Sequence, residues 1–258
     1  MPRTFSIVSH RREWKFPMAD DARHLFTSDT HYDHGNIILY SSRPFLNDQE
    51  MEWRKNKEKF KPCGDSIRRM NNTLVDRINE VVRPQDILWH LGDVAWHGKR
   101  MCAEFLGRVR CKNVILIWGN HDEWDFADLI PMQMACPELH GKKFGEPEAV
   151  RPCYDQCYAN VDGQWIHLSH YPGDSWESSH KGMWHLYGHV HGNKNRRTEG
   201  NPQWSYSVDA GVDSHGFYPW TMDQLRALFA KRQADFKGWR DKLKDKEDGG
   251  MTPIGQLS

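Results

Sequence analysis

The chain has no apolar run approaching the roughly 20 residues that a helix needs to cross a bilayer, and its first residues lack the apolar stretch of a signal peptide. Both absences set the expectation of a cytoplasmic protein with no membrane partner. There is no excess of either charge: 35 Lys and Arg stand against 35 Asp and Glu. No one-sign field therefore advertises an anionic surface, and nucleic acid becomes an allowed but unfavoured partner. Cysteine is sparse. The six, at 63, 102, 111, 136, 153 and 157, are scattered through a chain too large to need disulfide staples, and they read as reduced thiols. Cys153 and Cys157 have no second pair at finger spacing, which sets a zinc finger aside.

What is present is enough for a core. Apolar residues make up 38% of 258 positions, which suits one large α/β domain or two small ones. Fifteen His and twelve Trp are both high counts, the first fitting a metal site and the second fitting a core or platforms for flat substrates. Residues 1–23 read as an edge hairpin or a loose arm, and a short strand follows from Arg23 to Ser28. The charged segment 46–66 reads as a solvated face or an inserted loop. Ile67, Met70, Leu74, Ile78 and Val81 recur at helical spacing before Pro84. Asp86–Leu91 and Asn113–Trp118 read as buried strands, the second covered on both faces, with a short helix at 101–109 between them. Segment 123–152 follows no pattern. Asp162-Gly163 sits between two strand-like runs as a hairpin turn, and Thr221-x-x-Gln224 opens a last helix with an apolar stripe to Leu243. Residues 244–258 read as a polar, disordered tail.

Apolar strands here repeatedly end in a loop that carries Asp, Asn or His beside Gly. Ligands in α/β sheets collect at such ends, because the backbone there is fixed by the core yet faces solvent. Five strand ends offer Asp29 with His31, Asp93, Asn120, His170, and His189 with His191. In an extended segment, residues at i and i+2 would face one target. Seven donors are too many for one tetrahedral ion and suit two ions about 3.5–4 Å apart, with Asp93 as the natural bridge. Mixed nitrogen and oxygen donors leave Mn2+, Fe, Zn2+ or Ni2+ open; two divalent ions, Mn2+ first among them, are the expected cofactors.

Asp29-x-His31, Gly92-Asp93, Gly119-Asn120-His121-Asp122, His170 and Gly188-His189-x-His191 together resemble, in order, the motif set of the calcineurin-like metallophosphoesterases. Phe26 to Ile38, Arg43-Pro44-Phe45 and Gly211-Val212-Asp213 are most similar to its small bacterial and bacteriophage branch. The resemblance implies a single-domain, four-layer α/β/β/α sandwich over residues 24–243; segments 46–66 and 123–152 depart from the family pattern and read as inserted or capping segments. It implies a first ion held by Asp29, His31, Asp93 and His191, and a second held by Asp93, Asn120, His170 and His189. It implies that a hydroxide bridging the ions attacks phosphorus. His121 would assist the transition state or leaving group, with Asp122 orienting it. His34, Asn36 and Arg43 are candidate contacts to the substrate phosphate, although Arg43 also suits a structural ion pair. His90 and His167 lie inside strands and read as core hydrogen-bonders, while Trp176, Trp184 and Trp204 read as packing ahead of base stacking.

The expected activity is hydrolysis of small or nucleotide-like phosphodiesters. A phosphomonoesterase is the alternative on the same site. A nuclease needs a basic groove, to which Lys194, Arg196 and Arg197 could contribute. A non-enzymatic scaffold is disfavoured by the retention of all seven donors.

Overall fold

The computed structural model describes residues 3–9, 12–122, 150–154, 156–193 and 206–248. In chain order its elements are β1 (Thr4–Ser9), β2 (Arg12–Pro17), β3 (His24–Thr27), α1 (Ile37–Tyr40), α2 (Asp48–Lys55), α3 (Gly64–Val81), β4 (Ile87–His90), α4 (Lys99–Arg108), β5 (Asn113–Ile117), β6 (Val150–Tyr154), β7 (Gln156–Val161), β8 (Gln164–Ser169), β9 (Trp184–Tyr187), β10 (Ser207–Asp209), β11 (Trp220–Thr221) and α5 (Met222–Asp248).

Side-chain alternation sets the layers. Every residue of β3, β4 and β5 is buried, as their continuous apolar runs predict. Phe26, Trp89, Ile115 and Ile117 enter one core, while Leu25, Leu88, Val114 and Leu116 enter another. The second core lies under α3 and α4, which add Val75, Ile78, Met101 and Phe105. The first is shared with Ile7, Ala159, Ile166, Leu168 and Leu186 of the other sheet. The five-stranded sheet has the order β11-β3-β4-β5-β6, parallel except for β11, and the six-stranded sheet the order β10-β9-β8-β7-β1-β2. Helix α5 starts from the edge strand β11 and seats Met222, Leu225 and Phe229 in the shared core, with Phe229 against Trp184 and Tyr206. This is the mixed α/β sandwich that the family resemblance implies.

Local signals account for the joints. Asp162 and Gly163 take φ of 50° and 83°, the two left-handed positions of a type I′ turn that matches strand twist between β7 and β8. Gln224 N–H donates to Thr221 Oγ1 and Thr221 N–H to Gln224 Oε1, so the capping box that opens α5 forms. The first residues are an edge hairpin: β1 pairs with β7, β2 closes the sheet, and Phe5, Ile7 and Phe16 are buried. Burial of each such side chain stabilises by roughly 1.5–3 kcal/mol, so this hairpin is part of the core.

The charged segment 46–66 carries α2 and is mostly exposed, as a solvated face, with one charged exception. Its Glu50 is buried and its carboxylate accepts from Asn47 N–H at 2.9 Å, Cys63 N–H at 2.6 Å and the Ser66 hydroxyl. Asn47 Oδ1 in turn caps α2. A carboxylate thus ties α2 to the start of α3, a use of charge that composition alone cannot distinguish from a solvated face. Helix α5 continues to Asp248, so residues 244–248, read as tail, are its last turn, and 249–258 lie outside the described residues. Of segment 123–152, residues 150–152 belong to β6 and the remainder lies outside the described residues. No helix among the described residues is long and apolar enough to cross a membrane.

Candidate metal centre

The parallel strands β3, β4 and β5 end side by side, and their exits are laced together. Asp29 N–H donates to the Gly92 carbonyl, His31 N–H to that of Asp93 and Tyr32 N–H to that of Val94. In the second sheet β8 and β9 are also parallel and deliver His170 and the 188–192 loop, where Gly188 N–H donates to the His170 carbonyl. Val212 N–H reaches the Ser28 carbonyl and joins the two sheets at this end.

Donor atoms converge twice. Asp29, His31 and His191 form one group and Asp93, His170 and His189 another, with the ligand atoms of each group within 4.8 Å of one another. Asp93 Oδ2 lies 3.4 Å from His31 Nε2 and 3.5 Å from His170 Nε2, so one carboxylate oxygen faces both groups. Asn120 Oδ1 lies 3.1 Å from His170 Nε2 and 2.8 Å from His189 Nδ1. His189 and His191 thus part company, one in each group. They do not do so by extended alternation. Asp29, His31, Asp93, His189 and His191 have φ of 55°, 45°, 55°, 70° and 48°, all left-handed, which turns each side chain out of the strand pattern.

The residues fit cations. His31 Nε2 is buried and has no hydrogen-bond partner among the described residues, an expensive state for an imidazole nitrogen unless an ion takes its lone pair. Asp29 is fully buried, and that burial pushes its carboxyl up to about 7, against the pull of His170 and His191. For Asp93 burial also raises the carboxyl, but the hydrogen bond and charge of His170 outweigh it and hold the group far below the usual range. Burial works against charge on His170 too, yet its bond to Asp93 and the charge of Asp29 push it up to about 9. Buried carboxylates here recruit a proton onto an imidazole, and a divalent ion satisfies the same demand with more charge. Two glycines keep the space open. A Cβ on Gly119 would strike Asp93 N and Oδ1, and one on Gly188 would strike Ser28 Oγ and lie 2.5 Å from Asp29 Oδ2.

A buried ion pair supports the first group. Arg43 Nε and Nη2 bind Asp213 Oδ1 and Oδ2 at 2.8 and 2.9 Å, Nη1 binds the Thr30 carbonyl and approaches Met70 Sδ, and Nη2 binds the Asp29 carbonyl. Its guanidinium is buried and fully bonded, so Arg43 is a structural ion pair and cannot reach a substrate. Asp213 passes the support on by accepting from His191 Nδ1 at 2.6 Å, which leaves Nε2 for an ion. Asp209 accepts from Gly192 and Gly211 N–H, each at 2.7 Å, and fixes the loop after His191. Neither aspartate was assigned a role from sequence. For Asp209 the signal is an Asp at a strand end two residues before Gly211, whereas Asp213 lies in the turn that follows.

Asp122 also differs from expectation. Its carboxylate accepts backbone N–H groups of Asp93, Val94 and Gly119, and no hydrogen bond to the His121 ring is found among the described residues. It aligns two motif loops and does not orient the His121 imidazole. His121 donates its own N–H to Asp93 Oδ1 at 2.9 Å, and its ring lies 5.3 Å from that of His31. His34 is buried beside this pair, stacked on Trp96 at 3.9 Å, with Nδ1 3.4 Å from His31 Nδ1, and burial lowers its imidazole to about 4. Asn36 is half-buried at the start of α1, where its carbonyl accepts from Leu39 and Tyr40, and among the described residues no hydrogen bond links its side chain to the donor groups.

His90 and His167 act as core hydrogen-bonders, to Thr30 Oγ1 and Gln156 Oε1. Trp176 and Trp184 are buried packing residues. Trp204, Lys194, Arg196 and Arg197 lie outside the described residues.

Comparison with known proteins agrees with this geometry. Residues 22–249 match the family model described as calcineurin-like phosphoesterase. The uncharacterized protein MJ1445 of Methanocaldococcus jannaschii is 29% identical over 206 residues, covering 79% of this chain and 89% of that protein. Among solved structures, the protein of unknown function AQ665 from Aquifex aeolicus superposes with a TM-score of 0.51 at 23% identity, over 81% of this chain and all of that one, which supports the fold. The family match takes in the five-stranded sheet, β7 to β10 of the other sheet and every donor motif, and the chain belongs to the calcineurin-like phosphoesterases, hydrolases that cleave phosphoric esters at a dinuclear divalent metal centre.

Proposed function

We propose that the protein is a phosphodiesterase acting on small or nucleotide-like diesters. The observation that carries this is the double convergence of donors around Asp93 Oδ2 with the His121 ring at its side. Asp29, His31, Asp93 and His191 would hold one ion, and Asp93, Asn120, His170 and His189 the other. The mixed nitrogen and oxygen donors suit Mn2+, with Fe, Zn2+ and Ni2+ as alternatives. Two divalent ions, when bound, supply Lewis acidity toward the phosphoryl oxygens and lower the pKa of water.

The chain's own residues do the rest. His121 lies beside the His31 group and is placed to give a proton to the departing ester oxygen. Its backbone N–H to Asp93 couples its position to that of the shared carboxylate. Asp122 holds the loops of both residues in register. The position of Arg43 supports the diester reading. A monoester dianion carries more charge than a diester monoanion, and the guanidinium offered by the sequence as a phosphate contact is locked in the interior.

The test compares p-nitrophenyl phosphate with bis-p-nitrophenyl phosphate, with Mn2+ added. Faster turnover of the diester is expected, and a clear monoester preference would reverse the ordering. Full activity in Asp93→Asn would remove the metal reading altogether.

A further inference from the structure

Tyr171 stands against the centre without belonging to either donor group. It directly follows His170 and is 54% exposed, yet its ring packs edge-on at 4.7 Å from that of His189 and 5.1 Å from that of His170. Its backbone is pinned. Ser169 Oγ donates to the Tyr171 carbonyl at 2.8 Å and meets His185 Nε2 at 3.0 Å, and both supporting side chains are buried. Among the described residues the Tyr171 hydroxyl has no hydrogen-bond partner. A large ring held in water on a fixed backbone, beside imidazoles placed to bind an ion, offers an open π-face to whatever the centre binds.

The two flanks of the site differ. His121 lies with His31, Trp96 and His34 on one side, their rings 5.3, 5.1 and 6.2 Å from its own. If His121 protonates the leaving oxygen, the leaving arm lies on that flank, and the retained arm extends toward His170 and His189, where Tyr171 stands. We infer that Tyr171 is a stacking platform for a planar group on the retained ester arm, so that the site takes diesters of nucleosides or aryl alcohols ahead of alkyl ones. This rests on the phosphodiesterase reading above and specifies its substrate class.

Thymidine 5'-(p-nitrophenyl phosphate) and ethyl p-nitrophenyl phosphate share a leaving group and differ in the retained arm. With Mn2+ present, the protein is expected to prefer the thymidine ester. Tyr171→Ala and Tyr171→Leu should lower the ratio of the two kcat/KM values about tenfold, mainly through KM, which is the scale of one base–aromatic stack. Tyr171→Phe should restore it. Titration calorimetry of AMP and of inorganic phosphate into the Mn2+-supplemented protein reads the platform without turnover. There, Tyr171→Ala should lower the ratio of the two affinities by the same factor.

Unchanged ratios in both assays overturn the platform, even if both esters are hydrolysed. A fall in kcat for both esters with unmoved ratios also overturns it, since that would mark Tyr171 as a support for His170 and His189. No turnover of either ester beside a shifted affinity ratio would instead overturn the phosphodiesterase reading and leave the platform standing.

Discussion

Replacing Asp213 by Asn tests the support beneath the first donor group. In the native protein Asp213 receives two hydrogen bonds from Arg43, at 2.8 and 2.9 Å, and one from His191 at 2.6 Å, with both partners of the ion pair buried. Asn keeps one carbonyl acceptor, loses the charge and turns an N–H2 group toward donors. Breaking one side of a buried pair costs roughly 3–5 kcal/mol because the surviving charge stays buried. The retained acceptor places Asp213→Asn at the lower end, about 3 kcal/mol. For a chain of this size each kcal/mol moves Tm by about 2–4 °C, so the metal-free protein should melt about 6–12 °C lower. His191 also loses the acceptor that fixes its Nδ1 proton, and Mn2+ affinity should fall roughly 10- to 100-fold. Thermal melts with a chelator and Mn2+ titrations measure the two effects separately. A Tm change under about 2 °C, or Mn2+ affinity equal to that of the native protein, would refute the assignment.

Further outcomes follow from the same geometry. His24, His90 and His185 are held down to about 3 by burial, whereas unfolded histidine titrates near 6.5. As pH falls below 6.5 only the unfolded chain takes up these protons. Stability is therefore full above that value and declines toward pH 3, by roughly 2 kcal/mol per histidine at pH 5; a Tm that stays level from pH 7.5 to 5 would contradict this. His121→Asn should lower kcat about 10²- to 10⁴-fold with Mn2+ affinity little changed, and loss of Mn2+ instead would place His121 among the ligands. Gly188→Ala should weaken Mn2+ binding and cost about 1–3 kcal/mol, since its Cβ meets Ser28 and Asp29 in a packed interior. A crystal structure showing both neighbours unmoved would contradict that clash.

Strands were legible where burial on both faces left an apolar run, as at residues 114–117, and the donors were legible because each follows the end of such a strand, with glycine adjoining Asp93, Asn120, His189 and His191. Arg43 shows where reading by residue type ends. Its chemistry suits phosphate, and only its burial against Asp213, 170 residues away in sequence, decides otherwise. Glu50 is the same lesson in a charged run, since three donors from separate turns converge on it. Asp122 kept its place beside the site but not its expected partner, because backbone amides of two loops reach its carboxylate. Nor could the left-handed turns of the donor loops be inferred from spacing, because they arise where loops from two sheets meet.

Those turns carry a consequence for anyone who would engineer the protein. Asp29, His31, Asp93, His189 and His191 each hold a conformation that disfavours L-residues by roughly 1–2 kcal/mol and that glycine adopts freely. A library selected for heat tolerance in the presence of a chelator should therefore drift toward glycine at His189, the one of the five that is exposed, and yield sturdier, inert variants. The same selection run with Mn2+ would reject them, because there the ligand's contribution to stability exceeds the relief of strain.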